Sequence, residues 1–362
     1  MTSVRLDDPS VVAARDPGGM LALVNGLPDQ VDEAMARLRV FQTPPAAREC
    51  MQLVICGMGG SAIAGDLLGG VVEEQVADRI RVHRGWGLPR WVTADALVAV
   101  VSHSGNTPES LSAYDAARER DLPLVALSSG GALQRRAVAD GESWIGVPGG
   151  MPPRAGIANL FFPLLRIAVD LGIARAEDED LGLPSALRTE AAAYAPAEPP
   201  GKNRALELAQ HLRGRLPLVH SGTALTHAVA RRFVAQLAEN AKRLAVRSEY
   251  PELTHNEVVA FDGDEAMLTS VAMVELVDTA EPRGVGVVRE GVEELAGRHG
   301  ARSLRIAARG ASRLARLWSL VLLTDFASVY LALLDGRDPS AIEPIAWLKG
   351  RVAEEMKGIR ES

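Results

Sequence analysis

The run Val54-Ile55-Cys56-Gly57-Met58-Gly59-Gly60-Ser61-Ala62-Ile63-Ala64-Gly65-Asp66 constrains this chain more than any other. A short apolar stretch enters a glycine-rich turn, and a hydroxyl residue then opens an apolar-periodic segment. That order predicts a strand, a tight turn and a helix. Glycine lets the backbone take positive φ and approach a ligand closely. The helix start behind it offers unpaired N–H groups and the positive end of a dipole, a setting that favours phosphate. Gly60 and Ser61 stand where an anion would sit, and Ser61 adds a hydroxyl donor.

A second hydroxyl-rich turn follows. Leu97-Val98-Ala99-Val100-Val101 is a continuous apolar run bounded by turn residues, which predicts a buried strand. It ends in Ser102-His103-Ser104-Gly105-Asn106-Thr107-Pro108-Glu109. Thr107 suits an N-cap and Pro108 the first helical position, so a helix should run from there to about Arg120. Ser102, Ser104 and Thr107 then lie at the carboxyl end of a strand, where open α/β sheets bind ligands. Turn and N-cap duty is their plainer role. Hydroxyls in two separate loops point beyond it, to an anion.

A chain of 362 residues suggests about two domains. With 47% hydrophobic and 23% charged residues it has the composition of a soluble globular protein. Its net charge of −7 argues against nucleic-acid binding, which usually needs a basic surplus. Cys50 and Cys56 cannot form a disulfide framework, and the expected setting is reducing and cytoplasmic. Cys56, inside the predicted first strand, is expected to pack in the core. Residues 1–15 lack the apolar centre of a secretory signal. The apolar stretch 317–334 includes Asp325 and predicts a buried helix rather than a membrane span.

After an amphipathic helix at 31–39, strands at 52–56, 80–83, 97–101, 124–127 and 144–147 alternate with helices, among them 132–139 and 156–171. This βαβ alternation implies an α/β fold, a parallel sheet wrapped by helices. The Pro- and Ala-rich stretch 195–201 marks a boundary. Beyond it the pattern restarts: a helix at 204–213, a strand at 216–220, the turn Ser221-Gly222-Thr223 and a helix at 225–242. Strands at 267–275 and 303–307 and helices at 311–334 and 345–357 complete it. The expected organisation is an N-terminal helical segment (1–40), a first domain (41–195) and a second domain with a C-terminal helix (201–362).

At these motifs the chain resembles the sugar isomerase (SIS) superfamily, and more closely the bifunctional phosphoglucose/phosphomannose isomerases, which have two SIS-type domains. The segment from Gly57 to Asp66 is similar to that family's first phosphate loop. Ser102-His103-Ser104-Gly105-Asn106-Thr107 is similar to its Ser-Tyr-Ser-Gly-Asn-Thr loop, and Pro153-Arg154 to its Pro-Arg pair. Glu239-Asn240-Ala241-Lys242 and Pro251-Glu252-Leu253-Thr254-His255-Asn256-Glu257 resemble the segments that carry a catalytic Glu and His. Asp338-Pro339 followed by Ile345-Ala346-Trp347-Leu348-Lys349 resembles the C-terminal lysine segment. The chain departs from the pattern at His103 (usually Tyr), at Leu237-Ala238 (often Asn just before the Glu), at Thr254 (commonly Asn) and at Ser340 (typically Thr). None removes a catalytic group, but they leave substrate preference open.

The resemblance implies an aldose–ketose isomerase that interconverts glucose 6-phosphate, mannose 6-phosphate or both with fructose 6-phosphate. The reaction passes through a cis-enediol and uses no metal and no cofactor. Glu239 would be the base, His255 and Lys349 would open the sugar ring, and Arg154 would hold enediolate charge. Gly60, Ser61, Ser102, Ser104 and Thr107 would bind the phosphate. A histidine is suited to proton exchange because its ordinary pKa is about 6.5. By residue type alone, Glu239 reads instead as a solvated helix carboxylate paired with Lys242 or Arg243. His255 reads as a capping or packed loop histidine, and Arg154 and Lys349 read as surface cations; the resemblance reverses these readings. The resemblance further implies a homodimer with shared sites, His255 crossing from the partner subunit. His83, His103, His211, His220, His227 and His299 show no metal-ligand spacing.

Three other functions stay open at this point. Gly57-Met58-Gly59-Gly60-Ser61-Ala62 formally fits a dinucleotide fingerprint, although the next strand ends Val82-His83-Arg84-Gly85, without the ribose-binding carboxylate. A non-catalytic phosphosugar sensor could share the fold. An isomerase of a different sugar phosphate, amino or heptose, would use the same groups.

Overall fold

Among the described residues, nine parallel strands in two sheets organise the chain. The computed structural model describes residues 6–38, 43–44, 47, 49–72, 74–175, 178–198, 201–263 and 265–361. Three helices come first: α1 (Pro9–Arg15), α2 (Met20–Asn25) and α3 (Leu27–Leu38). The first half continues β1 (Gln52–Cys56), α4 (Gly59–Val71), β2 (Ile80–His83), β3 (Ala96–Val101), α5 (Pro108–Glu119), β4 (Leu124–Ser128), α6 (Gly131–Ala139), β5 (Ser143–Gly146), α7 (Ile157–Asp170) and α8 (Leu183–Ala193). The second half runs α9 (Arg204–Leu212), β6 (Leu216–Ser221), α10 (Ala224–Glu239), β7 (Val246–Glu249), α11 (Glu265–Thr269), β8 (Val271–Val277), α12 (Arg283–Arg298), β9 (Arg302–Ala307), α13 (Arg313–Leu334) and α14 (Glu343–Glu361).

The sheet orders are β2-β1-β3-β4-β5 and β7-β6-β8-β9. The second repeats the first without its fifth strand, as the repeated pattern in the sequence suggests. In each sheet the order reverses direction beside the first strand. That switch point opens a crevice at the strand carboxyl ends, between β1 and β3 in the first sheet. The loops at 57–60 and 102–107 flank it. β3 is buried along its whole length, as a strand covered by helices on both faces must be.

Two strand expectations need correction. The stretch 267–275 starts as helix α11, and the strand begins only at Val271. β7 is an additional edge strand; Val246-Arg247-Ser248-Glu249 has no apolar run to announce it. Residues 1–5, 39–40 and 199–200 of the expected segments lie outside the described residues.

Helix α13 joins the halves. All 18 residues of its most apolar window are buried, which explains why it is apolar on every side and why its length alone resembles a membrane span. Trp318 stacks on Phe162 at 5.5 Å and meets the edge of Phe161 at 5.3 Å, so α13 and α7 share one core. Helices α4 and α10 pack together in the same core, bringing the glycine loop of one half to the Glu239 end of the other.

Candidate active site

The first loop leaves β1 through Gly57 and enters α4 at Gly59, whose φ of +50° lies in the left-handed region. Met58 offers no side-chain cap, so the first N–H groups of α4 lack a capping side chain. Ser61 Oγ accepts the His103 backbone N–H at 3.2 Å, which ties this loop to the second. In that second loop Ser102 Oγ donates to Thr107 Oγ1 at 2.9 Å. Thr107 is the N-cap residue of α5, but its side chain makes no capping bond, contrary to its expected duty. Ser104 is exposed and accepts the Asn106 N–H at 3.3 Å. Gly60 packs closely on the third loop: a Cβ there would come within 3.2 Å of the Pro153 carbonyl carbon, so a larger residue would press on that loop. Three loops of the first half therefore converge, and the third carries Arg154.

Arg154 is 4% exposed and reaches across to the second half. Its Nε donates to Asn240 Oδ1 at 2.8 Å, Nη1 to Glu239 Oε2 at 3.2 Å and Nη2 to the Pro339 carbonyl at 2.8 Å. Burial lowers its pKa, Glu239 opposes that shift, and the neighbouring Arg232 adds to it. The Glu239 side chain is 29% exposed and lines a cavity of about 160 Å³ with Gly59, Gly60, Arg154, Arg231 and Gln236. A carboxylate open to a cavity and held beside a guanidinium can take a proton while the cation stabilises the negative charge that develops.

A buried polar layer supports this pair. Arg232, Gln236 and Asn240 recur every fourth residue along α10, on the side facing α13. Arg232 makes a two-pronged contact with Asp325, at 3.0 and 2.5 Å, and also donates to the Arg154 carbonyl at 2.8 Å. Gln236 donates to Asp325 at 2.9 Å, and Asn240 to Ser328 at 2.9 Å. Sequence reasoning missed these residues, although two signals existed. One is a polar residue at every fourth position of an apolar-faced helix. The other is an aspartate inside the long apolar helix α13, which must be paired if buried. Lys242, by residue type a partner for the Glu239 carboxylate, instead donates its amine to the carbonyls of Glu239 at 2.8 Å and Asp338 at 2.6 Å. Burial, followed by Arg154, lowers its pKa.

The remaining expected residues lie elsewhere. His255 is exposed, on a helical turn (Glu252–His255) beyond β7, and does not line the cavity. Lys349 is exposed on α14, where Trp347 and Leu348 are 69% and 56% exposed. Ser340 does not line the cavity either; its hydroxyl is buried against Gly18, where a Cβ would come within 2.1 Å of it. His103 is buried behind the Arg154 loop, and burial lowers its pKa. One chain thus unites Gly60, Ser61, Arg154 and Glu239, with Ser102 and Thr107 one loop away. It does not bring His255 or Lys349 to them.

Comparison with known proteins follows the same lines. Residues 201–352 match the sequence model of the bacterial phospho-glucose isomerase C-terminal SIS domain. A bifunctional phosphoglucose/phosphomannose isomerase of Caldicellulosiruptor bescii is 34% identical over 92% of this chain and 99% of its own length. One of Aquifex aeolicus is 31% identical over 84% of this chain and 90% of its own. A hypothetical protein of Thermus thermophilus superposes with a TM-score of 0.71 at 18% identity, over 96% of this chain and 95% of that one, which establishes the shared fold.

Proposed function

This chain belongs to the bifunctional phosphoglucose/phosphomannose isomerase family, and we propose that it interconverts glucose 6-phosphate and mannose 6-phosphate with fructose 6-phosphate. The observation that carries this reading is the Arg154–Glu239 pair, placed against the Gly60 turn at the rim of a cavity. The phosphate sits on the loops of Gly60, Ser61, Ser102, Ser104 and Thr107. With the sugar open, Glu239 removes the C2 proton. The electron pair forms the C1–C2 double bond of the cis-enediol as the C1 carbonyl oxygen gains negative charge beside Arg154. The C2 hydroxyl proton passes to the C1 oxygen, and return of the abstracted proton to C1 leaves the C2 carbonyl of the ketose. Relatives named as isomerases favour this over a non-catalytic sensor. Purified protein is expected to form fructose 6-phosphate from both aldoses, and equally well in the presence of a chelator. Activity toward neither aldose in a phosphosugar panel refutes the assignment.

The reading extends to a homodimer in which His255 and the Arg154–Glu239 pair of one site come from different subunits. Two observations support it. His255 lies away from the cavity of its own chain, and α14 carries Ile345, Trp347 and Leu348 exposed on one helix. A two-fold contact covers the same patch on both copies. Lys349 would then belong to the same subunit as Glu239, since α14 follows closely on the segment 338–340 that Arg154 and Lys242 hold. Mixing inactive Glu239→Gln and His255→Ala dimers under subunit exchange should partly restore activity. Each hybrid has one site with both lesions and one with neither. Hybrids that form and stay at the parental background refute shared sites.

A further inference from the structure

We propose that His220 and Glu257 are positioning residues that clamp the His255 segment onto the second sheet. Only the effect of this clamp on catalysis rests on the reading of His255 as an acid/base group.

His220 lies near the end of β6, with no exposed side-chain surface. Its Nδ1 meets Glu275 Oε1 at 2.8 Å, and its Nε2 meets Glu257 Oε1 at 2.7 Å. Glu275 is the in-register neighbour on β8 and is equally buried. Glu257 stands two residues beyond His255. A ring with a carboxylate at each nitrogen is best satisfied as the imidazolium, which donates from both.

The segment is fastened at both ends. At its start, the Tyr250 N–H donates to the Ser221 carbonyl at 2.8 Å, and the Tyr250 hydroxyl to Glu275 Oε2 at 3.1 Å. At its end, Glu257 takes His220 and the Ser248 hydroxyl. His255, exposed, lies between these anchors. Leu253 is buried beneath the turn, so the span is short and held from below.

The titratable groups facing His220 are Glu275 from β8, Glu257 from the segment itself and Tyr250, whose ring meets the imidazole edge-on at 5.7 Å. Arg289 of α12 lies 3.6 Å from Glu275 and also pairs with Glu281. Burial by itself would lower the His220 pKa, but the hydrogen bonds and charges of Glu257 and Glu275 outweigh it and raise the value to about 9. The clamp is therefore at full strength below the ordinary histidine value of 6.5 and is lost as pH rises through about 9.

Glu257→Ala tests this in the full 362-residue chain. Glu257 is 20% exposed, and its loss leaves His220 still paired with Glu275, so the variant should fold. Amide exchange across 250–260 should accelerate at least tenfold, with the rest of the second half unchanged. Loss of positioning should lower kcat by about ten- to a hundredfold with little change in KM. Glu257→Gln, which still accepts a hydrogen bond, should recover most of both. Unchanged exchange in this segment overturns the proposal whatever the activity. In the unmutated protein the His220 ring should titrate well above 6.5 by NMR; a midpoint at or below 6.5 also overturns it. The role of His255 is judged separately. If His255→Ala keeps full activity while Glu257→Ala loosens the segment, the acid/base reading fails and the clamp stands.

Discussion

Glu239→Gln is expected to lower kcat by about 10²–10⁴-fold while fructose 6-phosphate still binds. The amide has the shape of the carboxylate. Its oxygen can still accept Arg154 Nη1, now met at 3.2 Å, so the loop that carries Arg154 should stay in place. The variant loses only the capacity to take a proton from C2. That capacity matters in the transition state and little in ground-state binding, so the loss belongs in kcat rather than KM. Steady-state kinetics in both directions, with calorimetric titration of fructose 6-phosphate, separate the two effects. A variant within a few-fold of the parental kcat removes Glu239 from the role of base. A variant that folds but cannot bind the ketose shows instead that Glu239 anchors substrate.

The elements of the first half are legible in the sequence because each signal is local. The run from Leu53 to Cys56 is apolar, the glycines that follow break it, and the helix that begins at Gly59 is close in sequence to both. Strand β7 is not legible, since an edge strand faces less of the core and Arg247, Ser248 and Glu249 need no apolar period. Helix α10 shows a different limit. The sequence predicts helix to residue 242, yet the helix stops at Glu239 and Lys242 turns to a φ of +53°, where its amine reaches the Asp338 carbonyl. At that stop the chain contacts a segment almost a hundred residues away, which local pattern cannot register. The site divides in the same manner. Gly60 and Ser61 announce themselves through the turn they build. Arg154 and Glu239 are an ordinary loop arginine and helix glutamate by residue type; the resemblance singles them out, and only the packing of α4 on α10 explains why they meet. Arg232, Gln236 and Asn240 have the right spacing for a face, but what they face is α13, which local pattern cannot supply.

That buried layer carries the second large effect. Asp325→Ala is expected to destabilise the protein by about 3–5 kcal/mol, since it strands the Arg232 guanidinium in a site 2% exposed. The Gln236 amide, which also donates to Asp325, loses its acceptor at the same time. Denaturant unfolding followed by circular dichroism measures the loss, and a change below about 1 kcal/mol contradicts the assignment. Activity should fall as well, because Arg232 also donates to the Arg154 carbonyl. A second variant separates those consequences. Replacing the set with apolar residues, Arg232→Met with Gln236→Leu and Asp325→Val, removes the ions instead of stranding one, and such exchanges are often neutral or stabilising. The apolar variant should recover most of the lost stability without recovering the activity, since nothing then fixes the Arg154 backbone. If it recovers both, the layer serves folding alone, and Arg154 is positioned sufficiently by Asn240, Glu239 and the Pro339 carbonyl.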